Sequence, residues 1–131
     1  MSLAIEVSTW SKDPSSQVGC IAVSPDKRQF TEGYNGFPKG IQDTEERLTN
    51  KRIKNEFMVH AEANCIVNAT ARLNNWTMYV TKAPCLNCAK IIANSGITRI
   101  VCPNPSGSWE DEQIKALSLL KTADIEVDFY G

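Results

Sequence analysis

Two short segments constrain this chain more than any other part of its sequence: His60-Ala61-Glu62 and Pro84-Cys85-Leu86-Asn87-Cys88. Zinc prefers cysteine sulfur and histidine nitrogen, and a catalytic zinc ion usually keeps three protein ligands plus a water. Cys85 and Cys88 are three residues apart, so on a helix their side chains are neighbours that can share one ion. His60 supplies the third ligand from a second helix. The fold is therefore expected to bring the starts of two helices together around one zinc ion.

Glu62 is expected to lie beside this zinc ion without binding it. It follows His60 by two residues, and side chains at that spacing do not share a face of a regular helix. A carboxylate next to a zinc-activated water can take a proton from it and return that proton later. The cysteines are expected in the first turn of their helix, where the helix dipole favours thiolate, and Pro84 suits such a start. The pattern predicts a hydrolytic site with an open coordination position.

The cysteines also admit two other interpretations. A Cys-x-x-Cys pair can carry out redox chemistry, but the surroundings of a thioredoxin-like pair are absent here and a His-x-Glu segment precedes it. A purely structural zinc would need a fourth ligand from the remaining cysteines, which are Cys20, Cys65 and Cys102. These three occupy apolar positions, so we expect them to be core thiols. An odd number of cysteines with no extracellular address is typical of reduced thiols in a cytoplasmic protein.

Composition bounds the possible partners. A chain of 131 residues, 42% hydrophobic and 22% charged, is expected to form one domain over residues 1–131. The net charge of −1 gives no reason to expect a nucleic-acid partner, since such partners require a clustered basic surface. No apolar stretch is long enough for a membrane helix, so no membrane partner is expected. The first six residues already contain Glu6, which does not resemble a signal peptide.

Hydrophobic spacing and turn residues predict alternating helices and strands. Helices are expected at residues 2–12, 43–55, 60–73, 85–94 and 109–122, and strands at 18–23, 28–34, 76–81, 98–102 and 125–129. The first two strands should form a hairpin, and Thr44 should cap the second helix. Ile114, Leu117 and Leu120 mark the apolar side of the last helix. This order predicts an α/β fold, a three-layer α/β/α domain with a mixed five-stranded sheet.

Four segments carry a resemblance that extends beyond the zinc ligands: Ser11–Gly19 (SKDPSSQVG), Gly33–Gly40 (GYNGFPKG), His60–Asn64 (HAEAN) and Tyr79–Lys90 (YVTKAPCLNCAK). The pattern H-x-E…P-C-x-x-C is the signature of zinc-dependent nucleobase deaminases. With the first two segments, the chain resembles the deoxycytidylate (dCMP) deaminases of the cytidine deaminase superfamily, from residue 8 to its C-terminus. A tRNA adenosine deaminase would share the zinc segments but not the Gly-Tyr-Asn-Gly loop.

The resemblance implies a reaction and a cofactor. The reaction is hydrolysis of dCMP to dUMP and ammonia in pyrimidine deoxynucleotide metabolism, with Glu62 carrying protons to ring N3 and to the amino group. His60, Cys85 and Cys88 are the implied zinc ligands. Some members bind a second, structural zinc, but His60 is the only histidine here, so one zinc ion per chain is expected.

The resemblance also implies substrate contacts. The backbone at Ala61 is expected to read the pyrimidine edge, and Asn35 resembles the family's sugar-binding asparagine. Asn35 also has an alternative role, as a residue that tolerates a left-handed turn between two glycines. For the phosphate, the candidates are Lys12, Ser15 and Trp109.

Relatives in this branch are homohexamers that dCTP activates and dTTP inhibits, with Mg²⁺ on the effector phosphates. Their effector site includes the Gly-Tyr-Asn-Gly loop. Carried over to this sequence, the expected allosteric residues are Tyr34, Gly36, Phe37 and Lys39, although the segment could equally be a tight loop.

Two other classes of function stay open at this point. One is a deaminase of another substrate, such as dCTP, a free nucleoside or tRNA adenosine. The other is a zinc-binding protein without catalysis. The weak basic character argues against RNA as substrate. Glu62 argues against a silent protein, because a structural zinc site has no use for that carboxylate.

Overall fold

The computed structural model describes all residues from Met1 to Gly131. The helices are α1 (Ser2–Ser8), α2 (Glu45–Thr49), α3 (Lys51–Phe57), α4 (Ala61–Val67), α5 (Leu86–Ser95) and α6 (Glu110–Thr122). The strands are β1 (Gly19–Val23), β2 (Phe30–Tyr34), β3 (Thr77–Val80), β4 (Arg99–Cys102) and β5 (Glu126–Phe129). A single 3₁₀ turn, Gly107–Trp109, leads into α6.

The strands form one mixed sheet in the order β2-β1-β3-β4-β5. Strand β1 pairs antiparallel with both β2 and β3, and the pairs β3–β4 and β4–β5 are parallel. The parallel pairs need crossovers, which α5 and α6 provide. The predicted α/β fold with a mixed five-stranded sheet and an N-terminal hairpin is confirmed.

Helices cover both faces of this sheet, and most of the core lies on one face. Successive side chains of a strand point to opposite faces. Ile21 of β1 therefore packs under α1, against Ala4 and Val7. Its neighbours Cys20 and Ala22 point the other way, into an 18-residue cluster that includes buried side chains of α4, α5 and α6. The two helices that carry the zinc-binding segments thus share one face of the sheet.

Glycine allows α4 to lie directly on strand β2. A Cβ atom at Gly33 would overlap the carbonyl oxygen of Ala61 and the backbone nitrogen of Cys65. Only glycine avoids this overlap, so the backbone of α4 can reach the sheet. Gly33 therefore helps to fix the start of α4, where His60 and Glu62 are found.

Helix α4 is shorter than the sequence pattern indicates. The predicted helix over residues 60–73 ends at Val67, with Asn68 as its C-cap. The side-chain amide of Asn68 donates a hydrogen bond of 3.1 Å to the carbonyl oxygen of Glu32 in β2. The loop that follows returns Leu73 and Trp76 to the core. Leu73 is therefore buried from a loop, although its spacing in the sequence is also that of a longer helix.

The polar helix predicted over residues 43–55 is two helices, α2 and α3. Asn50 separates them with an extended backbone (ψ 106°), and its side chain accepts a hydrogen bond from the N–H of Ile53. Asparagine competes for backbone groups in this way, which makes it a better cap than an interior helix residue. Thr44 caps α2 as predicted, by accepting a hydrogen bond from the N–H of Arg47.

Other differences are smaller. Helix α1 ends at Ser8, not at residue 12, and the Ser8 hydroxyl bonds back to the carbonyl of Ile5. On α6 Ile114 is 53% exposed, so it does not share the buried side of Leu117 and Leu120. The remaining element ends differ from expectation by one or two residues. The predicted core thiols Cys20, Cys65 and Cys102 are fully buried. No helix has both the length and the apolar character that crossing a bilayer requires.

Candidate metal centre and its cleft

Three side chains form a cluster with the geometry of a metal site. The Nδ1 atom of His60 lies 3.3 Å from the Sγ atom of Cys85 and 3.3 Å from that of Cys88. The ligand atoms of all three residues lie within 4.8 Å of one another. Ligands at ordinary Zn–S and Zn–N distances on a tetrahedral ion would be about 3.5 Å apart, so this donor set fits zinc.

The starts of two helices position these ligands. His60 is the N-cap of α4, and Cys85 is the N-cap of α5, where its Sγ accepts a hydrogen bond of 3.5 Å from the N–H of Cys88. Free N–H groups at a helix start favour a negatively charged sulfur. The expectation that both segments lie at helix starts is confirmed. His60 and Cys85 are the N-caps, and each helix begins one residue later than predicted, at Ala61 and Leu86.

The charges of the cluster are strongly interdependent. A hydrogen bond from Cys88 lowers the pKa of the Cys85 thiol to about 4, and a further bond from His60 acts in the same direction. The hydrogen bond with Cys85, together with burial, raises the pKa of the Cys88 thiol. The pKa of His60 is raised, chiefly because its ring bonds to Cys85. Cys85 therefore favours the thiolate form, which is the form of cysteine that binds a metal ion.

Glu62 lies at the wall of the cleft and outside the three-ligand cluster. Its side chain is buried, and this burial raises the pKa of its carboxyl group to about 6. A carboxyl group with such a pKa can exchange protons near neutral pH, which is what a general acid and base requires.

His60 and Cys85 line a cleft of about 690 Å³. A volume of this size is typical of sites for small molecules. The predicted site residues that line this cleft are Ser15, Asn35, His60, Ala61, Glu62, Cys85 and Trp109. Cys88 is buried behind it. Trp109 is 58% exposed at the end of the 3₁₀ turn, so an aromatic side chain borders the cleft.

Asn35 is buried, and its side chain joins three parts of the chain. Its Oδ1 atom accepts a hydrogen bond of 2.9 Å from the N–H of Val18, and its Nδ2 atom donates to the carbonyl of Ser16 at 2.8 Å. Nδ2 also donates to Oδ2 of Asp13 at 3.3 Å. Asn35 does not have a positive φ angle, so the alternative role as a left-handed turn residue is wrong.

Two residues of the cleft were missed by the sequence analysis as site residues. The Nζ atom of Lys54 lies 3.1 Å from Oδ1 of Asp13 and 2.6 Å from Oγ of Ser15. Hydrogen bonds from Ser15 and Lys54 lower the pKa of Asp13, although burial opposes them. The available signals were the position of Asp13 within the SKDPSSQVG segment and a weak basic cluster around Lys54.

Gln113 is a third cleft residue that the sequence did not single out. It is buried on α6, where its Oε1 atom accepts a hydrogen bond of 2.9 Å from the N–H of Ser106. Its Nε2 atom donates to the carbonyl of Ala83 at 3.2 Å. Gln113 therefore ties the loop before Trp109 to the loop before Cys85 and Cys88.

Lys12 and the predicted allosteric residues lie outside the cleft lining. The side chain of Lys12 is 71% exposed and pairs with Asp43 at 3.4 Å. Lys39 is exposed in a turn, and Gly36 pairs with Val59 through backbone hydrogen bonds of 2.8 and 3.1 Å.

Aromatic contacts flank the same loop. Tyr34 makes an edge-to-face contact with Trp10, and Phe37 makes one with Phe57 of α3. Because Val59 directly precedes His60, the loop is joined to the start of α4 by backbone hydrogen bonds. These contacts give the loop a physical link to the metal centre.

Known proteins resemble this chain along most of its length. Residues 1–103 match the family model described as the cytidine and deoxycytidylate deaminase zinc-binding region. A deaminase of Aliivibrio fischeri is 34% identical over 125 residues, which cover 92% of this chain and 84% of that protein. The deoxycytidylate deaminase of Mus musculus is 34% identical over 134 residues, which cover 95% of this chain and 74% of the mouse protein.

A solved structure shares the fold. The dCMP deaminase of the cyanophage S-TIM5, in complex with dCMP and dUMP, superposes with a TM-score of 0.79. The alignment covers 98% of this chain and 92% of the phage chain, with 25% sequence identity. The similarity therefore includes the sheet, both zinc-segment helices and α6.

Proposed function

Since this chain belongs to the cytidine and deoxycytidylate deaminase family and is therefore a hydrolytic deaminase, we propose that its substrate is dCMP, which it converts to dUMP and ammonia. Two of the similar proteins support this choice of substrate. The mouse relative is a deoxycytidylate deaminase, and the phage structure holds dCMP and dUMP.

The observation that carries the proposal is that a three-residue donor cluster and a buried carboxyl group meet beside one cleft. The His60–Cys85–Cys88 cluster fits zinc, and the Glu62 carboxyl group stands at the wall of the same cleft. Zinc held there would supply a positive charge that lowers the pKa of a bound water to about 7. The family's zinc-binding description agrees with this donor set.

Glu62 is the proposed proton carrier. Its carboxylate accepts a proton from the attacking water and donates it to N3 of the cytosine ring. It then takes the proton of the hydroxyl group that the water has added at C4 and carries it to the amino group, which leaves as ammonia while the C4 carbonyl forms. Each transfer needs a group that alternates between acid and base, and burial, which raises the pKa of Glu62 to about 6, suits it to both roles near neutral pH. Glu62 therefore completes the chemistry without acting as a metal ligand.

The remaining contacts orient the nucleotide. Ala61 is the first residue of α4, where backbone N–H groups have no partner within the helix, and we assign it to the pyrimidine edge. Asn35 is assigned to the sugar hydroxyl through the second lone pair of its Oδ1 atom. Trp109 and Ser15 border the same cleft and are assigned to the nucleotide as well. Lys12 has little support, because it is exposed and paired with Asp43.

Regulation by dCTP as activator and dTTP as inhibitor is part of the proposal. The loop of Tyr34, Gly36, Phe37 and Lys39 would bind the effector, with Mg²⁺ on its phosphates. The backbone pairing of Gly36 with Val59 supports this role, because a shift of the loop would act on the start of α4. A homohexamer and a cytoplasmic location complete the proposal.

A comparison of substrates tests the proposal directly. Zinc-loaded protein is incubated separately with dCMP, dCTP, deoxycytidine and an adenosine-containing tRNA, and ammonia release is followed. The proposal expects the highest kcat/KM with dCMP. Preference for dCTP or for the tRNA would replace the proposed substrate, and release from none of them would reject the activity.

A further inference from the structure

The zinc chemistry makes no use of Lys54, although this lysine is held inside the cleft wall. Its side chain is only 14% exposed, whereas lysine side chains usually extend into water. It contacts Oδ1 of Asp13 and Oγ of Ser15. Asp13 is itself buried and accepts further hydrogen bonds from the N–H groups of Ser15 and Ser16. The lysine is thus fixed in place by a preformed polar network.

This network leaves part of the lysine's bonding capacity for a ligand. An ammonium group has three N–H donors, and the contacts with Asp13 and Ser15 occupy two of them. Lys54 lines the cleft, so the third donor is available on the same side as the metal ligands. Asp13 cancels part of the lysine's charge, and a second cation is needed for a strong anion site.

Lys51 provides that second cation. It precedes Lys54 by three residues on α3, a spacing that places both side chains on one face of the helix. The next residues on this face are Asn55 and Met58, and all four residues line the cleft. Helix α3 therefore turns one side toward the cleft and presents two ammonium groups there.

The same network connects this face of α3 to Asn35. Asp13 bonds Lys54 through Oδ1 and the side-chain amide of Asn35 through Oδ2. One buried carboxylate thus fixes both the ammonium group and the asparagine that is assigned to the sugar. A sugar and a phosphate are adjacent in a nucleotide, and the arrangement matches that order.

We propose that Lys54 and Lys51 bind the phosphate of the substrate, so that the enzyme selects a pyrimidine nucleoside monophosphate over the nucleoside. Asp13 and Ser15 are positioning residues that hold Lys54 in place. The inference rests on the proposed function, and it deepens that function by assigning substrate selection to the charged face of α3.

The first test measures binding without turnover. Calorimetry on the zinc-loaded protein compares dUMP with deoxyuridine, which differ only in the phosphate. Lys54→Met keeps most of the side chain's length and removes its charge, and it should weaken dUMP binding about 10- to 100-fold while deoxyuridine binding changes less than about threefold. Lys115→Ala removes an equally charged residue from an exposed position of α6 outside the cleft lining and should change neither affinity.

The second test measures turnover. Lys54→Met should raise KM for dCMP with little change in kcat, because a phosphate contact binds ground state and transition state alike. The kinetics of deoxycytidine should be nearly unchanged. If Lys54→Met does not fold, the exposed residue Lys51 offers a milder variant, Lys51→Ala, which should shift the same ratio about 3- to 10-fold.

The outcomes separate this inference from the proposed function. Equal affinity of the parent protein for dUMP and deoxyuridine overturns the phosphate site, even if dCMP is deaminated. Equal losses for nucleotide and nucleoside in Lys54→Met overturn it too, since they show a structural role. If dUMP binds in a Lys54-dependent manner but no ammonia is released from dCMP, the phosphate site stands and the proposed function fails.

Discussion

Gly33 of strand β2 lies against the backbone nitrogen of Cys65 in α4, with no room between them for a side chain. This contact fixes the height of α4 above the sheet, and His60 and Glu62 are at the start of that helix. The position of His60 therefore depends on a close approach of two backbones that also includes the carbonyl oxygen of the adjacent Ala61.

Gly33→Ala should destabilise the protein by about 1–3 kcal/mol, because the added methyl group must push the helix away from the strand. The free energy of unfolding in urea measures this loss. Gly36→Ala is the matched control, since a Cβ atom there meets only the ring of Tyr34 at 3.8 Å. Equal stability of the two variants would show that the close packing of β2 against α4 does not require glycine at position 33.

Zinc stoichiometry tests the metal centre. Cys88→Ser should lower bound zinc well below one ion per chain and should also lower Tm, because zinc binding and folding are coupled. Cys102→Ala removes another buried cysteine that lies outside the ligand cluster, and it should keep one zinc ion per chain. Metal analysis that finds two ions in the parent protein, or full occupancy in Cys88→Ser, contradicts the assignment.

The Asp13–Lys54 pair should give stability a specific pH dependence. Hydrogen bonds lower the pKa of Asp13 in the folded protein, so its contribution is present above the unfolded pKa and is lost as the pH falls through the folded value. The difference in unfolding free energy between the parent and Asp13→Asn should therefore shrink as the pH falls from about 5 toward 2. A difference that is constant over this range would mean that the charge of Asp13 does not stabilise the fold.

The clustering of His60, Cys85 and Cys88 could be predicted from sequence because zinc chemistry restricts the residue types that can bind the ion. Residue type and spacing were enough to select these three residues. Their position at the starts of helices followed from capping and helix-dipole arguments. Lys54 and Asp13, which form an ion pair, are 41 positions apart in the sequence, and no local sequence pattern predicts their pairing. Contacts between residues so far apart in sequence are set by tertiary packing. The place of Asp13 and Lys54 in the cleft lining therefore became visible only in the structure.

The points at which two helices end could not be predicted from the hydrophobic pattern either. The apolar period of residues 60–73 continues past Val67, yet the helix ends there because Leu73 reaches the core from a loop. Asn50 interrupts a run of helix-forming residues because its side chain caps α3. In the first case the hydrophobic pattern correctly reported the burial of Leu73, but a loop provides it. In the second case no residue of α2 or α3 is buried, so the cap at Asn50 decided where the helices end.

Effector nucleotides test the loop. If Lys39 binds effector phosphates, dCTP should lower the apparent KM for dCMP and dTTP should raise it, with sigmoidal rates that reflect coupled subunits. Lys39→Ala should weaken both responses and leave unregulated turnover largely intact, because Lys39 is exposed outside the cleft lining. Hyperbolic kinetics that neither nucleotide changes in the presence of Mg²⁺ would leave the loop with a structural role only.

Glu62 is proposed to carry protons during hydrolysis of dCMP at the zinc centre. Glu62→Gln keeps the size of the side chain and removes its acid and base function. The most direct measurement is the rate of dUMP formation from dCMP by zinc-loaded parent and Glu62→Gln proteins, with zinc content determined for both. We expect equal zinc content and a kcat that falls by about 10²-fold or more in the variant, because the amide cannot transfer the protons. A variant that retains zinc and deaminates dCMP at close to the parent rate would contradict it.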